Sequence, residues 1–196
     1  MPKVLKTLRI AEGMKSRIYD YRKETGPNGG TISLGICVHH IPVIKNVRGR
    51  EDLDTLRRVL IEQGLMVQFG TDSEGNVAMY TKANRLCWHA RGANSVSCGI
   101  EHMHYDTGEA WTKRQMRAAG WIAQYLEREF KIPLQMAKIE RGTGVVTVVR
   151  KGHTSHEEVS RVQGFNDRSD PGKKFDYEQV FHNARFFKKH GHFVGA

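Results

Sequence analysis

The stretch KGHTSHEEVSRVQGFNDRSDPGKKFD, residues 151–176, decides how this chain is interpreted. It follows the β-branched run Val145–Val149, which predicts that it begins at the exit of a buried strand. It contains two histidines, His153 and His156, and it has Asp170 at the head of Asp-Pro-Gly. Imidazole and carboxylate are ligands of catalytic zinc, which takes three protein ligands and keeps one position open. The stretch therefore predicts part of a zinc site whose third ligand comes from elsewhere.

The third ligand is expected at the end of an earlier strand. The run ISLGICVH, residues 32–39, is typical of a strand that leads into His39 and His40. A second run, residues 96–101, predicts another strand that ends in Glu101, a carboxylate suited to accept a proton from an attacking water. The candidate site is therefore a set of three ligands with one free base: His39, His156 and Asp170, with Glu101.

Length and composition bound the fold class and the partners. The 196 residues are enough for one domain with a sizeable core, and 39% hydrophobic with 27% charged residues is ordinary for a globular protein. The net charge of +10 favours an anionic partner. Because the basic residues are scattered and form no tract, an anionic wall polymer ranks above nucleic acid. The first residues lack the apolar core of a signal peptide and no run reaches transmembrane length, so we expect synthesis in the cytoplasm. We also expect a monomer.

The cysteines indicate a reducing compartment. Cys37, Cys87 and Cys98 form no pairwise motif, and an odd number argues against a disulfide framework. Cys37 and Cys98 lie in apolar, strand-like runs, which predicts buried free thiols.

Strand and helix patterns alternate along the chain. Apolar residues at helical spacing predict a helix over residues 50–63, another after Thr112 with Gln115 in the capping-box position, and a last one from near Tyr177. The turn-rich residues 72–76 lie between two short apolar runs and predict a hairpin. We therefore expect a single α/β domain.

Four motifs, in order along the chain, resemble one known family. They are VHH at residues 38–40, WHARGAN at 88–94, SCGIE at 97–101, and GHTSH followed by DPGKKFD within 152–176. In these motifs the chain is similar to the type 2 N-acetylmuramoyl-L-alanine amidases, which include phage lysozyme-type amidases, cell-wall recycling amidases and peptidoglycan recognition proteins. The resemblance implies a mixed central sheet flanked by helices and a bound zinc ion. It also implies hydrolysis of the amide between the muramic acid lactyl group and L-alanine in peptidoglycan.

The resemblance implies a ligand role for three residues. His39, as the histidine that ends the strand, would be the first zinc ligand, and His40 would point the other way. His156 would be the second ligand, with His153 as the alternative placement. Asp170 matches the carboxylate before Pro-Gly and would be the third ligand.

The resemblance also implies the remaining site residues. Glu101 would be the catalytic glutamate, and Arg168 stands where the family often has a lysine that stabilises the oxyanion. His89 and Asn94, in a loop beside the site, would hold the substrate. His102 shares a strand with Glu101 but points to the other face, so we interpret it as a surface or supporting group.

Several functions remain open on the sequence. We expect a zinc-dependent amidase that acts on the wall as a phage-type endolysin, with residues 1–31 as an extension packed on or preceding a catalytic domain of residues 32–196. A cytosolic muropeptide-recycling amidase is the nearest alternative. A non-catalytic peptidoglycan-binding module is a third, although it would not need to keep the ligands and the base. A nucleic-acid-binding domain rests only on the charge and is the weakest alternative.

Overall fold

The structure is a computed structural model that describes residues 3–11, 14–21, 30–41, 53–104 and 110–190. These residues form nine strands and four helices. In chain order the elements are β1 Lys3–Ala11, β2 Met14–Asp20, β3 Ile36–His40, α1 Leu53–Glu62, β4 Phe69–Thr71, β5 Val77–Met79, β6 Ser97–His102, α2 Lys113–Phe130, β7 Lys138–Glu140, β8 Thr147–Arg150, β9 Gly152–Ser155, α3 His156–Gln163 and α4 Tyr177–His190.

The central sheet has seven strands in the order β1-β2-β5-β4-β6-β3-β9. The pairs β1–β2 and β4–β5 are antiparallel, and the other neighbours are parallel. Helices α2 and α4 pack on one face of the sheet, while α1 and α3 pack on the other. The predicted α/β domain with a mixed central sheet flanked by helices is therefore confirmed.

Strand β3, which lies between β6 and β9, is buried on both faces, and its side chains alternate between them. Cys37 packs with the sheet residues that α2 covers, whereas Ile36 and Val38 pack with α3. By the same alternation, His39 points to the α2 face and His40 to the α3 face. Two adjacent histidines thus enter two different layers of the protein.

The first strands of the chain belong to the same sheet. β1 and β2 form an antiparallel pair, and β2 pairs in parallel with β5, where Ile18 lies opposite Val77. Ile18 is buried in the main core. Part of the segment 1–31, expected to be an extension, therefore supplies the edge strand β1 and its neighbour β2.

The apolar run Val145–Val149 was expected to be a buried strand that leads into the histidines, and this expectation is wrong. The strand it contributes to is β8, which pairs only with β7 in a separate two-stranded sheet. Val149 is 49% exposed there. The buried strand is β9, which contains His153 itself. The sequence pattern did not predict β9 as the buried strand because β9 contains the polar His153, whose side chain has a hydrogen-bond partner inside the protein.

Other sequence predictions hold for the described residues: α1 lies within the predicted helix of residues 50–63, of which residues 50–52 lie outside the described residues. Thr112 is the N-cap of α2, and its side chain accepts a hydrogen bond of 3.0 Å from the backbone N–H of Gln115. The predicted hairpin is β4–β5, and α4 begins at Tyr177. All three cysteines are buried free thiols. Among the described residues, no helix has the length and apolar character needed to cross a membrane.

Candidate active site

The carboxyl ends of three adjacent parallel strands, β9, β3 and β6, meet at one edge of the sheet. His40 is the last residue of β3, and Glu101 in β6 is its partner in the pairing register. His156 follows β9 directly as the first residue of α3. Parallel strands that end together collect polar side chains at one place, which is where α/β proteins usually bind their ligands.

Three side chains at this edge form a group that suits one metal ion: His40, His156 and Asp170. One ligand atom of each lies within 4.8 Å of the other two. Asp170 Oδ2 is 3.2 Å from His156 Nδ1 and 3.9 Å from His40 Nδ1. Ligand bonds of about 2.0–2.2 Å place neighbouring donors roughly 3–4 Å apart, so the spacing fits a shared ion.

His39 is not brought to this group. On the opposite face of the sheet, its Nδ1 lies 2.9 Å from His102 Nε2 and its Nε2 lies 3.0 Å from His153 Nδ1. The structure thus unites two of the three predicted ligands, His156 and Asp170, with His40 instead of His39. The strand register would have shown that His40, and not His39, lies at this edge, because His40 lies opposite Glu101 while His39 lies opposite the apolar Ile100.

Backbone contacts orient Asp170 towards the two histidines. The backbone N–H of Ile41, just past β3, donates to Asp170 Oδ2 at 3.1 Å. The backbone N–H of Glu157 in the first turn of α3 donates to the Asp170 carbonyl oxygen at 3.0 Å. Ser155 caps the same helix by accepting from the N–H of Glu158. The loop that carries Asp170 is therefore tied to both β3 and α3.

A chain of hydrogen bonds leaves Nδ1 of His40 unprotonated. Ser97 Oγ donates its hydrogen to the carbonyl of Ala93 at 2.7 Å, so it accepts from His89 Nε2, which lies 3.4 Å away. His89 Nδ1 must then accept from His40 Nε2, at 3.1 Å. A neutral imidazole carries one N–H, so His40 Nδ1 has a free lone pair that faces Asp170. Burial keeps the ring neutral by holding the pKa of His40 well below its ordinary value of 6.5.

His89 and Asn94, predicted to bind the substrate, have internal partners. Asn94 Oδ1 accepts from the backbone N–H groups of His89 and Ala90, at 3.0 and 2.8 Å. The His89 ring packs on Gly99, where a Cβ atom would come within 2.7 Å of its Nδ1. Burial lowers the pKa of His89 to about 3. The loop of residues 88–94 therefore positions the His89 ring against His40.

Glu101 is a buried carboxyl group beside the ligand group. It is 8% exposed, and its Oε2 has no hydrogen-bond partner among the described residues. Burial and, to a smaller extent, the nearby carboxylate of Asp170 raise the pKa of Glu101 to about 8, although the charge of Arg168 opposes the rise. A carboxyl group with such a pKa can both accept and release a proton near neutral pH.

Arg168 lies on the surface of the loop that leads to Asp170. Its side chain is exposed, and its positive charge acts on both Glu101 and Asp167. The structure therefore brings the predicted cation near the predicted base. The guanidinium can donate hydrogen bonds to an anion that forms there.

A second polar group lies on the α2 face of the sheet and was not predicted. His39 bonds His102 and His153, as described above, and Thr71 Oγ1 lies 2.7 Å from His102 Nδ1. The three rings are completely buried, and burial lowers the pKa of both His102 and His153 to about 3. The expectation that His102 lies at the surface or in a supporting shell of the site is wrong, because α2 and α4 cover this face of the sheet.

A family model covers most of the chain. The family model described as N-acetylmuramoyl-L-alanine amidase matches residues 29–173, which include every residue discussed at this edge. The chain therefore belongs to the N-acetylmuramoyl-L-alanine amidase family. A search among curated proteins finds no match.

Solved structures share the fold. The amidase LysC from Clostridium intestinale URNW is 17% identical, with a TM-score of 0.59 and coverage of 86% of this chain and 97% of that one. The Staphylococcus aureus hydrolase AmiA is 14% identical, with a TM-score of 0.63 and coverage of 99% and 100%. The peptidoglycan recognition proteins LCa and LCx, solved with tracheal cytotoxin, give 16% identity, a TM-score of 0.55 and coverage of 89% and 96%. At these identities the likeness concerns the fold.

The residues at the edge fit the zinc ion that the family implies. Two imidazole nitrogens and one carboxylate oxygen are a ligand set of catalytic zinc, which keeps a fourth position open. The side chains of His156 and Asp170 are 13% and 12% exposed, so the group is in contact with solvent on one side. The unpaired Oε2 of Glu101 lies at the same sheet edge. This arrangement has the chemistry of a hydrolytic metal centre.

Proposed function

We propose that this protein is a zinc-dependent amidase that hydrolyses the bond between the lactyl group of N-acetylmuramic acid and L-alanine in peptidoglycan. Its ligands would be His40 Nδ1, His156 Nδ1 and Asp170 Oδ2. The observation that carries the proposal is the combination of this ligand group with a buried, unpaired Glu101 at the same sheet edge. Membership of the amidase family supports the bond that is cleaved.

Two of the three proposed ligands have contacts that orient them. His40 is held by His89, and Asp170 by the backbone N–H of Ile41. Outer contacts of this kind fix the tautomer and the direction of metal ligands. Bound zinc would supply Lewis acidity at the scissile carbonyl and lower the pKa of water.

Glu101 would move the proton. Its carboxylate accepts a proton from the attacking water and passes it to the amine of L-alanine as the amide bond breaks. A pKa near 8, due mainly to burial, makes both transfers accessible near neutral pH. Because its Oε2 has no partner among the described residues, the group does not have to break an existing bond at that oxygen first.

Arg168 would stabilise the developing oxyanion. Its charge already reaches Glu101, so a carbonyl oxygen between Glu101 and the ligand group would lie within its influence. Hydrogen bonds from a guanidinium to an oxyanion are strengthened by charge on both partners. Its exposure leaves it free to approach a substrate from the solvent side.

We further propose that the substrate is the assembled wall, as for a phage-type endolysin. The net charge of +10 supports this, because a cationic enzyme is drawn to an anionic polymer surface. A recycling amidase would instead prefer soluble fragments. The two are distinguished by comparing turnover on intact sacculi with turnover on small muropeptides, at low and at high salt.

The direct test is digestion of purified sacculi by zinc-loaded and chelator-treated protein, followed by mass analysis of the products. The proposal predicts release of stem peptides with a free L-alanine amine by the zinc-loaded form alone. Binding to sacculi at full zinc occupancy without cleavage would identify a non-catalytic binding module instead. Digestion that is unaffected by complete removal of zinc would rule out the metal assignment.

A further inference from the structure

The α2 face of the sheet contains a second group of metal-ligand side chains that the proposed amidase reaction does not use. Cys37 and His39 lie two residues apart on β3, and His153 is the partner of Cys37 in the register with β9. All three are completely buried. We propose that Cys37, His39 and His153 form a second metal site that binds one Cu(I) ion.

The spacing of the three donors fits one ion. His39 Nε2 lies 3.0 Å from His153 Nδ1 and 4.0 Å from Cys37 Sγ. One donor atom from each side chain lies within 4.8 Å of the other two. Metal–nitrogen bonds of about 2.0 Å and metal–sulfur bonds of about 2.3 Å, the lengths found in zinc sites, require donors roughly 3.3–3.8 Å apart. Shifts of a few tenths of an ångström would bring His39 Nε2 to these separations from the other two donors.

Outer hydrogen bonds select the ring nitrogen that would face the ion. His102 Nδ1 can donate to Thr71 Oγ1, and His102 Nε2 then accepts from His39 Nδ1. This leaves Nε2 of His39 unprotonated and directed at Cys37 and His153. The Thr71–His102 pair would thus hold His39 as outer partners hold metal-bound histidines elsewhere. On the other side, His153 Nε2 is buried without a partner among the described residues and can carry the remaining proton.

The donors favour a soft, monovalent ion. Thiolate suits Cu(I) and zinc, and imidazole suits copper and zinc, so charge has to decide between these two ions. The three donors include no carboxylate, so the thiolate supplies the single negative charge. Cu(I) cancels this charge, whereas Zn(II) would leave one positive charge at a completely buried position. An uncompensated buried charge is costly, which decides for Cu(I).

Binding is a ligand exchange without redox chemistry. The sulfur–hydrogen bond of Cys37 breaks, a sulfur–copper bond forms, and the proton leaves to solvent. His153 moves its proton from Nδ1 to Nε2, and Nδ1 then binds the ion. The oxidation state of copper does not change, so no oxidant or reductant is consumed.

The test uses metal-free protein refolded from urea with Cu(I) under anaerobic conditions, because the buried donors are accessible only before folding is complete. Bound copper is counted after free copper is removed. Wild type is expected to hold one Cu(I) per chain and Cys37→Ser none. The matched control is Cys98→Ser, because Cys98 is equally buried and lies opposite Cys37 on β6. It should keep its copper. Copper retained by Cys37→Ser, lost by Cys98→Ser or absent from wild type would overturn the proposal.

Two further measurements keep this test independent of variant folding and of the amidase proposal. X-ray absorption of copper-loaded wild type should show one sulfur and two imidazole nitrogens, and a shell without sulfur would overturn the site. His156→Ala disables the proposed zinc group but leaves the three donors intact, so it should still take up one Cu(I). Loss of copper from this variant would show that the ion had bound at the group of His40, His156 and Asp170 instead.

Discussion

His39 and His40 end the same strand, yet they lie in opposite chemical environments. His40 joins two side chains that are partly open to solvent, His156 and Asp170 at 13% and 12% exposure. His39 joins His102 and His153, which are completely closed off by helices. The comparison teaches that strand alternation, and not residue type, decides which histidine can meet a substrate. Among the described residues, the α3 face combines the proposed ligands with a buried, unpaired carboxyl group and contact with solvent.

We call the α3 face, with its solvent contact, the open face and the α2 face, which helices cover, the closed face. Replacing a proposed ligand on the open face should have the largest effect. His156→Ala removes one of three proposed ligands, so we expect loss of the zinc equivalent and of measurable muropeptide hydrolysis. The matched variant is His153→Gln, which changes the other histidine of the same motif on the closed face. It should keep zinc and turnover. Zinc content by atomic spectroscopy and a hydrolysis assay decide the case, and the reverse pattern would exchange the roles of the two faces.

Removing the base should separate catalysis from metal binding. Glu101→Gln keeps the size of the side chain but cannot accept the proton, so turnover should fall by about 10²–10⁴-fold. Zinc content should stay at one per chain, because Glu101 is outside the ligand group. The control is wild-type turnover at equal zinc loading. Wild-type rates in the variant would show that another group is the base.

Acid should destabilise the closed face of the metal-free protein. The pKa values of His102 and His153 are about 3 in the folded state because of burial, against an ordinary value of 6.5. Between these pH values the unfolded chain binds more protons, so their contribution to stability is complete above pH 6.5 and is lost as the pH falls towards 3. Urea unfolding across this range should show the loss, and His153→Gln should flatten it. An unchanged slope in that variant would contradict the closed-face assignment.

Glu101 should give the opposite sign on the open face. Its pKa of about 8 lies above the ordinary value of 4.5, so the folded state binds more protons between these values. Its contribution favours the fold below pH 4.5 and is lost as the pH rises through 8. In metal-free protein, Glu101→Gln should therefore be stabilised relative to wild type at pH 8 more than at pH 4.5. Equal differences at both pH values would show that Glu101 titrates normally.

The ring behind His40 should have a moderate effect. His89→Ala removes the hydrogen bond to His40 Nε2, so zinc affinity should fall by about 10–100-fold, as for other outer partners of metal ligands. Gly99→Ala should act in the same direction, because its Cβ would displace the His89 ring. Zinc competition measurements test both. If neither variant changes the affinity while substrate binding weakens, His89 contacts the substrate, as the motif first indicated.

The smallest effect is expected from the far end of the closed face. Thr71→Val preserves the shape of the side chain but leaves His102 Nδ1 without its 2.7 Å partner. The free energy of unfolding should fall by about 1–2 kcal/mol, with turnover unchanged. Urea unfolding and the hydrolysis assay are the measurements. A loss of activity without a loss of stability would show that Thr71 affects the active site on the other face of the sheet.

Sequence reasoning predicted the helices, the hairpin and the ordered motifs because these depend on local spacing. It placed His156 and Asp170 together because their motif is contiguous in the chain. It chose His39 over His40 because a shift of one residue exchanges the two faces of a strand, and the register with β6 is a tertiary property. It missed the closed group for a similar reason. Thr71, His102 and His153 come from β4, β6 and β9, and β3 with His39, which precedes all three in the chain, lies between β6 and β9 in the sheet.

The most direct test of the account is a matched pair of substitutions at the end of β3. His39→Gln and His40→Gln are the same change at adjacent positions, and each is compared with wild type for bound zinc and for release of stem peptides from sacculi. We predict that His40→Gln loses the zinc and the activity, while His39→Gln keeps both at reduced stability. Zinc and activity that survive in His40→Gln and disappear in His39→Gln would contradict the assignment of the open face as the active site.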